Sequence, residues 1–525
     1  MQHERRLVAF FFDPTSYPHS ADQLSHHETH VSHVFLAGAY AYKIKKAVRF
    51  PFIDASTLAL RRHWCLRELA LNRRLAPWIY LGVVPVTQSR SGAWRLGGRG
   101  LVVEWAIRMR RLPEERMLDR LIEHHRATRA DLGRLMDRLI PFFRRARRGR
   151  SVARHGRPDR VAELVLGNLR ECEEFVGSVF AHAEIDRLER SDRQWLTLHA
   201  PLLTRRVREG WIIEGHGDLR GENICLTDPV TVFDCVEHQA AFRCGDVVND
   251  VSFLVMDLEH RGRPTLAKAA VDIYRRRLPD PAFDRLLPFY ACHRSLVRAK
   301  VRALAWRQHP RTAAGRRALA QARRHAWLAR AYAGVFAPPR LIVVGGLIGT
   351  GKSTLARQLA QRLGAVWLRS DEIRLREFAG LRRPGQGFSQ GVYAPRVSVR
   401  VYERLIARAD AAIRGGESVV CDGTFSLAVG RERLRRIAWR HGASFHFLQC
   451  VVPAATAKRR IARRLSRRAD LSEARPEYYA RMRAEYEPVR GWPKDAWTSL
   501  PTSGTPEQTL QRALTALRRA WLNNG

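Results

Sequence analysis

The chain of 525 residues is longer than one hydrophobic core usually serves, so two or three domains are expected. Its composition, 45% hydrophobic and 27% charged, excludes fibrous and broadly disordered classes, and no stretch reaches the roughly 18 to 20 apolar residues that span a bilayer. The formal net charge of +41 suits polyanionic substrates such as nucleotides. A nucleic-acid partner is the alternative, but the excess is mostly arginine spread along the whole chain, and it is read as a diffuse bias.

Met1 to Arg6 is polar, and Leu7 to Phe12 is too short for a signal-peptide apolar region and lacks a cleavage-like site. These absences place the expected location in the cytoplasm, with no membrane partner. The eight cysteines contain no C-x-x-C pair and read as reduced structural thiols. Residues 31–50 predict short strands, Val34 to Leu36 and Ala39 to Ile44 with a turn at Gly38. Residues 56–76 predict a helix with Ser56 as its N-cap and Pro77 soon after its end. Leu81 to Val86 and Leu101 to Ile107 read as buried strands. From about 114 to 210 the pattern is helical, broken by the basic stretch Arg144 to Pro158, which reads as an exposed loop.

Trp211 to Cys244 reads as strands and turns and carries His216-Gly-Asp218-Leu-Arg-Gly-Glu-Asn223, followed by Val232-Phe-Asp234. An H-x-D-x-x-x-x-N followed by a strand and an aspartate is how kinase-like folds arrange phosphoryl transfer. Asp218 is the candidate catalytic base, and Asn223 and Asp234 the candidate Mg²⁺ ligands. Residues 246–335 are mostly helical. Arg294, Arg298 and Arg302 recur there at i, i+4 spacing and read as a solvated face rather than an anion site. Ala337-Pro-Pro339 marks the boundary between domains expected at 1–335 and 340–525.

Beyond it, strands and helices alternate as in a parallel α/β unit. The strand Leu341 to Val344 leads into Gly346-Leu-Ile-Gly349-Thr350-Gly351-Lys352-Ser353, and a helix pattern runs from Thr354 to Leu363. Strand, G-x-x-x-x-G-K-[ST] and helix in this order make a phosphate-binding loop. Gly346, Gly349, Thr350, Gly351 and Thr354 are assigned to nucleotide binding. Lys352 supplies a charge to the β and γ phosphates, and the Ser353 hydroxyl ligates Mg²⁺. Asp422, at the end of the apolar Val419 to Cys421, is the second metal-site acid. Asp371, after the strand Ala365 to Leu368, is a candidate general base. A basic helix with Arg460 and Arg464 one turn apart reads as a lid over the phosphates or as a solvated face.

These C-terminal motifs, with Arg374 and Asp422-Gly-Thr-Phe425, resemble the small P-loop kinases and ATPases of the polynucleotide-kinase-like and zeta-toxin-like group. That resemblance implies Asp371 as base and Arg460 and Arg464 as lid. The group's Ser-Asp-Ala appears here as Ser472-Glu-Ala474. The N-terminal H-G-D motif resembles that of aminoglycoside-phosphotransferase-like kinases. The whole chain is similar to bacterial fusions of such a domain to a P-loop ATPase, over Tyr42 to Lys46, Glu104 to Met109, Phe233 to Glu237, Phe242 to Asp246 with Asp250, and Arg294 to Arg302. The resemblance implies that Lys43, or Lys45 on the same strand face, pairs the α and β phosphates, with Glu68 as ion-pair partner. It also implies that Glu104 to Met109 forms the hinge over the adenine, and that Asp246 and Asp250 brace the catalytic loop. Two departures stand out: there is no N-terminal Gly-x-Gly-x-x-Gly, and no acidic cluster for a cationic drug.

The expected fold is therefore an α+β protein-kinase-like domain followed by an α/β P-loop NTPase domain with a parallel sheet. The expected function is bifunctional: ATP- and Mg²⁺-dependent phosphoryl transfer to a hydroxyl of a small or nucleotide-like acceptor, with ATP turnover at the C-terminal loop. The alternatives are a nucleic-acid end kinase, and a P-loop ATPase regulated by a nucleotide-sensing pseudokinase.

Overall fold

The computed structural model describes residues 2–50, 53–381, 389–466, 475–493 and 495–522. The chain forms two compact units, one from 1–175 and 202–332, the other from 176–201 and 333–525. The second unit thus takes in a segment far upstream of the boundary expected from the sequence. Within it, Arg190 pairs with Glu417 at 3.1 Å, and Leu198 joins the core beneath the phosphate-loop helix. The division falls at Pro201, inside the helix His182–Arg208, which runs on through the proline.

The first unit begins with a six-stranded antiparallel sheet in the order Leu24–Glu28, Ser32–Ala37, Tyr40–Lys45, Leu101–Arg110, Tyr80–Gln88, Trp94–Leu96. Alternation along Tyr40–Lys45 sends Tyr42 and Ile44 to one face and Ala41, Lys43 and Lys45 to the other. The helix Gln2–Phe12 covers the first face with Leu7 and Phe11; the short apolar run of the N-terminus is this helix's buried stripe. The helix Leu58–Asn72 covers the second face with Cys65 and carries Glu68. Its N-cap is Thr57, whose hydroxyl accepts from Leu60 N–H, and not Ser56, which instead donates to Asp54.

The rest of this unit is largely helical. Arg129–Arg145, Pro158–Cys172, Val247–His260, Pro264–Arg277 and Phe283–Gln308 pack on one another. The stretch read as an exposed loop, Arg144 to Pro158, folds into the short helices Arg150–Ala153 and Arg154–Gly156 with Val152 buried. Gly149 caps the first, and Pro158 opens the helix that follows, so both supposed breakers sit at helix starts. Arg206 is buried, bonded bidentately to Asp246 at 2.7 and 2.8 Å and to Asp280 at 2.7 Å. Removing one partner strands buried charge, so Arg206→Ala is expected to cost about 3–5 kcal/mol, read as a lowered urea midpoint for the full chain.

The second unit holds a five-stranded parallel sheet in the order Val366–Arg369, Val419–Asp422, Arg340–Gly345, Ser444–Val451, Trp497–Pro501. Lys352–Leu363 and Pro506–Leu522 cover one face; Pro395–Arg414 and Ala428–Arg440 cover the other. Both faces are buried, which is why Leu341 to Val344 is continuously apolar. The parallel sheet and the strand–loop–helix order match the expected P-loop fold. All eight cysteines are free and buried, and among the described residues no helix is long and apolar enough to cross a membrane.

Candidate functional sites

In the second unit the strand Arg340–Gly345 ends at the glycine loop, and the helix Lys352–Leu363 starts directly after it. The loop backbone needs glycine. Gly346 has φ +138° and Gly349 φ +75°. A Cβ would lie 2.5 Å from Cys450 O at the first and 2.6 Å from Ala457 O at the second. Thr350 is held from both sides: its hydroxyl donates to Leu347 O at 2.8 Å, and its carbonyl accepts from Thr502 Oγ1 at 2.6 Å. Gly351 is the left-handed N-cap residue, Lys352 and Ser353 are half-buried in the first helical turn, and Thr354 is exposed beside them. Backbone N–H groups therefore gather at a helix N-terminus, the arrangement that binds phosphate.

Asp422 ends the central strand Val419–Asp422 and accepts a hydrogen bond from Ser353 Oγ at 3.1 Å. Arg369 Nε lies 3.5 Å from its other oxygen. Burial pushes the Asp422 carboxyl up to about 6, against the pull of Lys352 and Ser353. Two hard oxygen ligands side by side fit a cation that keeps its remaining positions for water and phosphate. Asp371 is half-buried in the first turn of Ser370–Glu377, close enough for its charge to act on Asp422 and on the half-buried Tyr402. Arg374 is buried and donates to Ser398 Oγ at 3.2 Å and to Val392 O, so it fixes the helix Pro395–Arg414 rather than facing the loop. Arg460, on Ala454–Ser466, donates to Thr502 O at 2.9 Å and reaches within 3.6 Å of a Cβ position at Gly351. Arg464 is half-buried one turn on. Arg467, Arg468 and Ser472 to Ala474 lie outside the described residues.

In the first unit Glu68 is fully buried and pairs with Lys43 at 2.8 Å and Lys45 at 2.6 Å. Lys43 also donates to Asp234 at 2.6 Å, whereas Lys45 donates to Glu237 at 2.5 Å and is only 1% exposed. The two lysines left open by the sequence thus differ. Lys43 points to the partly exposed Asp234, and Lys45 is enclosed by two glutamates. Burial opposes the charge of Lys43, but Asp234 and Glu68 together hold its pKa well above the ordinary value. Glu104 to Met109 does not form a hinge. It lies inside the strand Leu101–Arg110, paired with Tyr80–Gln88 on one side throughout and, from Ala106 on, with Tyr40–Lys45 on the other, while Trp105 N–H donates to the Glu104 carboxylate.

His216 and its neighbours follow the strand Ile212–Glu214. His216 Nε2 lies 2.9 Å from Phe233 O; a carbonyl only accepts, so Nε2 carries the proton, and Nδ1 accepts from Asp218 N–H at 3.3 Å. Burial lowers the His216 pKa, which keeps this neutral tautomer and ties the Asp218 loop to the segment of Asp234. Asp250 accepts from the backbone N–H of His216 at 2.6 Å and of Gly217 at 2.8 Å, a direct brace. Asp246 instead caps Val247–His260 and holds Arg206. Asn223 Nδ2 donates to Asp218 O and to Asp218 Oδ2, both at 2.9 Å, which leaves its amide oxygen for a cation. Asp234 sits at φ +60° with its side chain 44% exposed, and it accepts from Lys43. Its carboxylate and the Asn223 oxygen are the kind of ligands Mg²⁺ takes.

Arg220, which the sequence did not single out, grips Asp218 bidentately at 2.7 and 2.9 Å. Burial would raise the Asp218 carboxyl, but the Arg220 guanidinium overrides it and holds the group well below the carboxylate range. Its place two residues after Asp218, inside the loop motif, was the available signal. Arg294 is no part of a solvated face: it is buried and donates to Asn249 Oδ1 at 2.9 Å. Arg298 and Arg302 are half-buried.

Residues 341–489 match the family model described as an AAA domain. Among solved structures, a sugar kinase from Janibacter sp. HTCC2649 is 23% identical over 34% of this chain and 95% of its own, with a TM-score of 0.28. The Mycobacterium tuberculosis APS kinase in complex with AMPPNP and APS is 19% identical over 34% of this chain and 98% of its own, with a TM-score of 0.27. At these scores neither likeness bears on what this chain does. The whole-chain similarity is of another order. The uncharacterized protein Rv2004c of Mycobacterium tuberculosis (strain ATCC 25618 / H37Rv) and the uncharacterized protein Mb2027c of Mycobacterium bovis are each 32% identical over 440 residues, 83% of this chain and 85% of the relative. The chain belongs to the family of these mycobacterial proteins.

Proposed function

We propose that the chain is a bifunctional ATP-dependent phosphotransferase, with a kinase-like site in the first unit and a P-loop site in the second. The observation that carries the first site is Lys43, which joins Glu68 of the sheet-covering helix to Asp234 beside the Asp218–Asn223 loop. A cation fixed between a buried glutamate and a metal-type carboxylate is what a triphosphate needs for orientation. The aminoglycoside-phosphotransferase-like resemblance, with domains at about 1–335 and 340–525, belongs to this reading, as does the cytoplasmic location. Asn223 with Asp234, and Ser353 with Asp422, would hold Mg²⁺, which would supply charge neutralisation at the phosphates.

Each step then falls to a named side chain. Lys43 orients the α and β phosphates, and Glu68 keeps Lys43 in place. Asp218 orients the acceptor hydroxyl. Its low pKa makes it a weak base, so it takes the proton late, once the new P–O bond has advanced. In the second unit Lys352 and the loop N–H groups bind the phosphates, Arg460 and Arg464 add charge from the lid side, and Asp371 is the candidate base. The test is Mg²⁺-dependent ATP turnover by wild type, Asp218→Ala and Lys352→Ala against a panel of hydroxyl acceptors. Two separable losses support the reading. Turnover lost only in Lys352→Ala makes the first unit a nucleotide sensor, and turnover retained by both variants contradicts the proposal.

A further inference from the structure

A cavity of about 500 Å³ opens in the first unit beside the Asp218 loop. Arg220 and Glu222 line it from the loop, and the helices Val247–His260, Phe283–Gln308 and Ala313–Phe336 complete its walls. Six arginines and four carboxylates face it. Three of the carboxylates are engaged by three of those arginines. Glu222 accepts from Arg220, from Arg261 at 3.2 Å and from Arg302 at 3.5 Å; Asp257 pairs with Arg261 at 3.1 Å and Glu123 with it at 3.8 Å; Asp119 has no ion pair among the described residues, its Oδ1 is buried without a partner, and burial raises its pKa against the nearby charge of Arg261. Arg263 is spent on Ile122 O at 3.0 Å and on His125.

The surplus rests on Arg298 and Arg324, for which no hydrogen bond or ion pair occurs among the described residues. Arg298 stands where burial and the like charges of Arg220 and Arg302 press its pKa down to about 10, against the pull of Asp218 and Glu222, and no carboxylate reaches it within ion-pair distance among the described residues. Beside it His260 and His325 stack at 3.5 Å and 5°, with the Nδ1 of each buried and unpartnered. Burial and the surrounding arginines hold both rings neutral. Two guanidiniums without hydrogen bonds or ion pairs among the described residues and two unpaired ring nitrogens around a cavity of small-molecule size suit an oxyanion rather than a cation or a polymer.

We propose that the acceptor of the first unit is an oxyanion-bearing alcohol, whose phosphate or carboxylate sits against Arg298 and Arg324 and whose hydroxyl is presented to Asp218. This rests on the kinase reading of that unit. In the reaction the hydroxyl oxygen bonds to the γ phosphorus, the bond from that phosphorus to the β,γ-bridging oxygen breaks, ADP leaves with the electron pair, and the hydroxyl proton passes to Asp218.

The test is calorimetric titration of the full chain with inorganic phosphate and, in a second arm, acetate. All chains carry Lys352→Ala to weaken the phosphate loop, and Arg298→Gln and Arg324→Gln are added singly. Arg324 is exposed, so its variant keeps the fold whatever becomes of the other. At least tenfold weaker binding of phosphate, or of acetate, in either variant is expected, and the stronger arm identifies the anion. Equal binding with and without the arginines, or no anion binding at all, overturns the proposal. Turnover with Lys352 restored separates the two readings. Transfer to neutral alcohols unaffected by Arg324→Gln removes the anionic acceptor and leaves the kinase. Arginine-dependent anion binding without transfer to any acceptor removes the kinase.

Discussion

Lys352→Ala is expected to lower ATP turnover at the phosphate loop by roughly 10²–10³-fold, the loss found when one pre-placed charge-stabilising group is removed. The side chain opens the helix Lys352–Leu363 behind a loop whose shape is set by Gly346, Gly349 and the two bonds to Thr350. None of those depends on the lysine, and alanine is a good helix former, so the fold is expected to hold. Steady-state turnover together with an unchanged melting temperature checks this. A fall in melting temperature that tracks the lost activity would assign the effect to structure.

Asp218→Asn carries the second large effect, a loss of roughly 10²–10⁴-fold in transfer to the acceptor. Asparagine keeps the size of the side chain and one carbonyl oxygen, so the bonds through His216, Asp250 and Asn223 remain, while the bidentate ion pair with Arg220 is reduced to at most one neutral hydrogen bond. The nucleotide side, built on Lys43, Glu68 and Asp234, does not include Asp218. The account therefore expects kcat to fall while the KM for ATP stays, measured under saturating acceptor. A matched rise in the KM for ATP would place Asp218 in nucleotide binding instead.

What could be read from the sequence follows how local each feature is. The phosphate loop was legible because its motif occupies eight consecutive residues between a strand and a helix, although the carbonyls its glycines must avoid, of Cys450 and Ala457, lie far along the chain. Asp422 was legible as the carboxylate ending an apolar strand. Lys43 and Lys45 were legible as a pair by pleat parity, but only the fold separates Asp234 from Glu237 as their partners. The cavity arginines were not legible. The spacing of Arg294, Arg298 and Arg302 is the same for a solvated face and a buried one, and what decides is the packing of helices distant in sequence. The placement of 176–201 with the C-terminal unit was hidden for the same reason, since the helix His182–Arg208 runs on past Pro201 and the packing that assigns the segment is to strands and helices far along the chain. Glu104 to Met109 misled because a strand and a hinge of the same apolar composition differ only in whether their backbone groups find ladder partners.

The central claim, two nucleotide sites in one chain, is tested most directly by counting them. Calorimetric titration of the full chain with a non-hydrolysable ATP analogue and Mg²⁺ should give two equivalents bound for wild type and one for Lys352→Ala. A single equivalent in wild type, abolished by Lys352→Ala, would contradict the account and leave the first unit without a nucleotide.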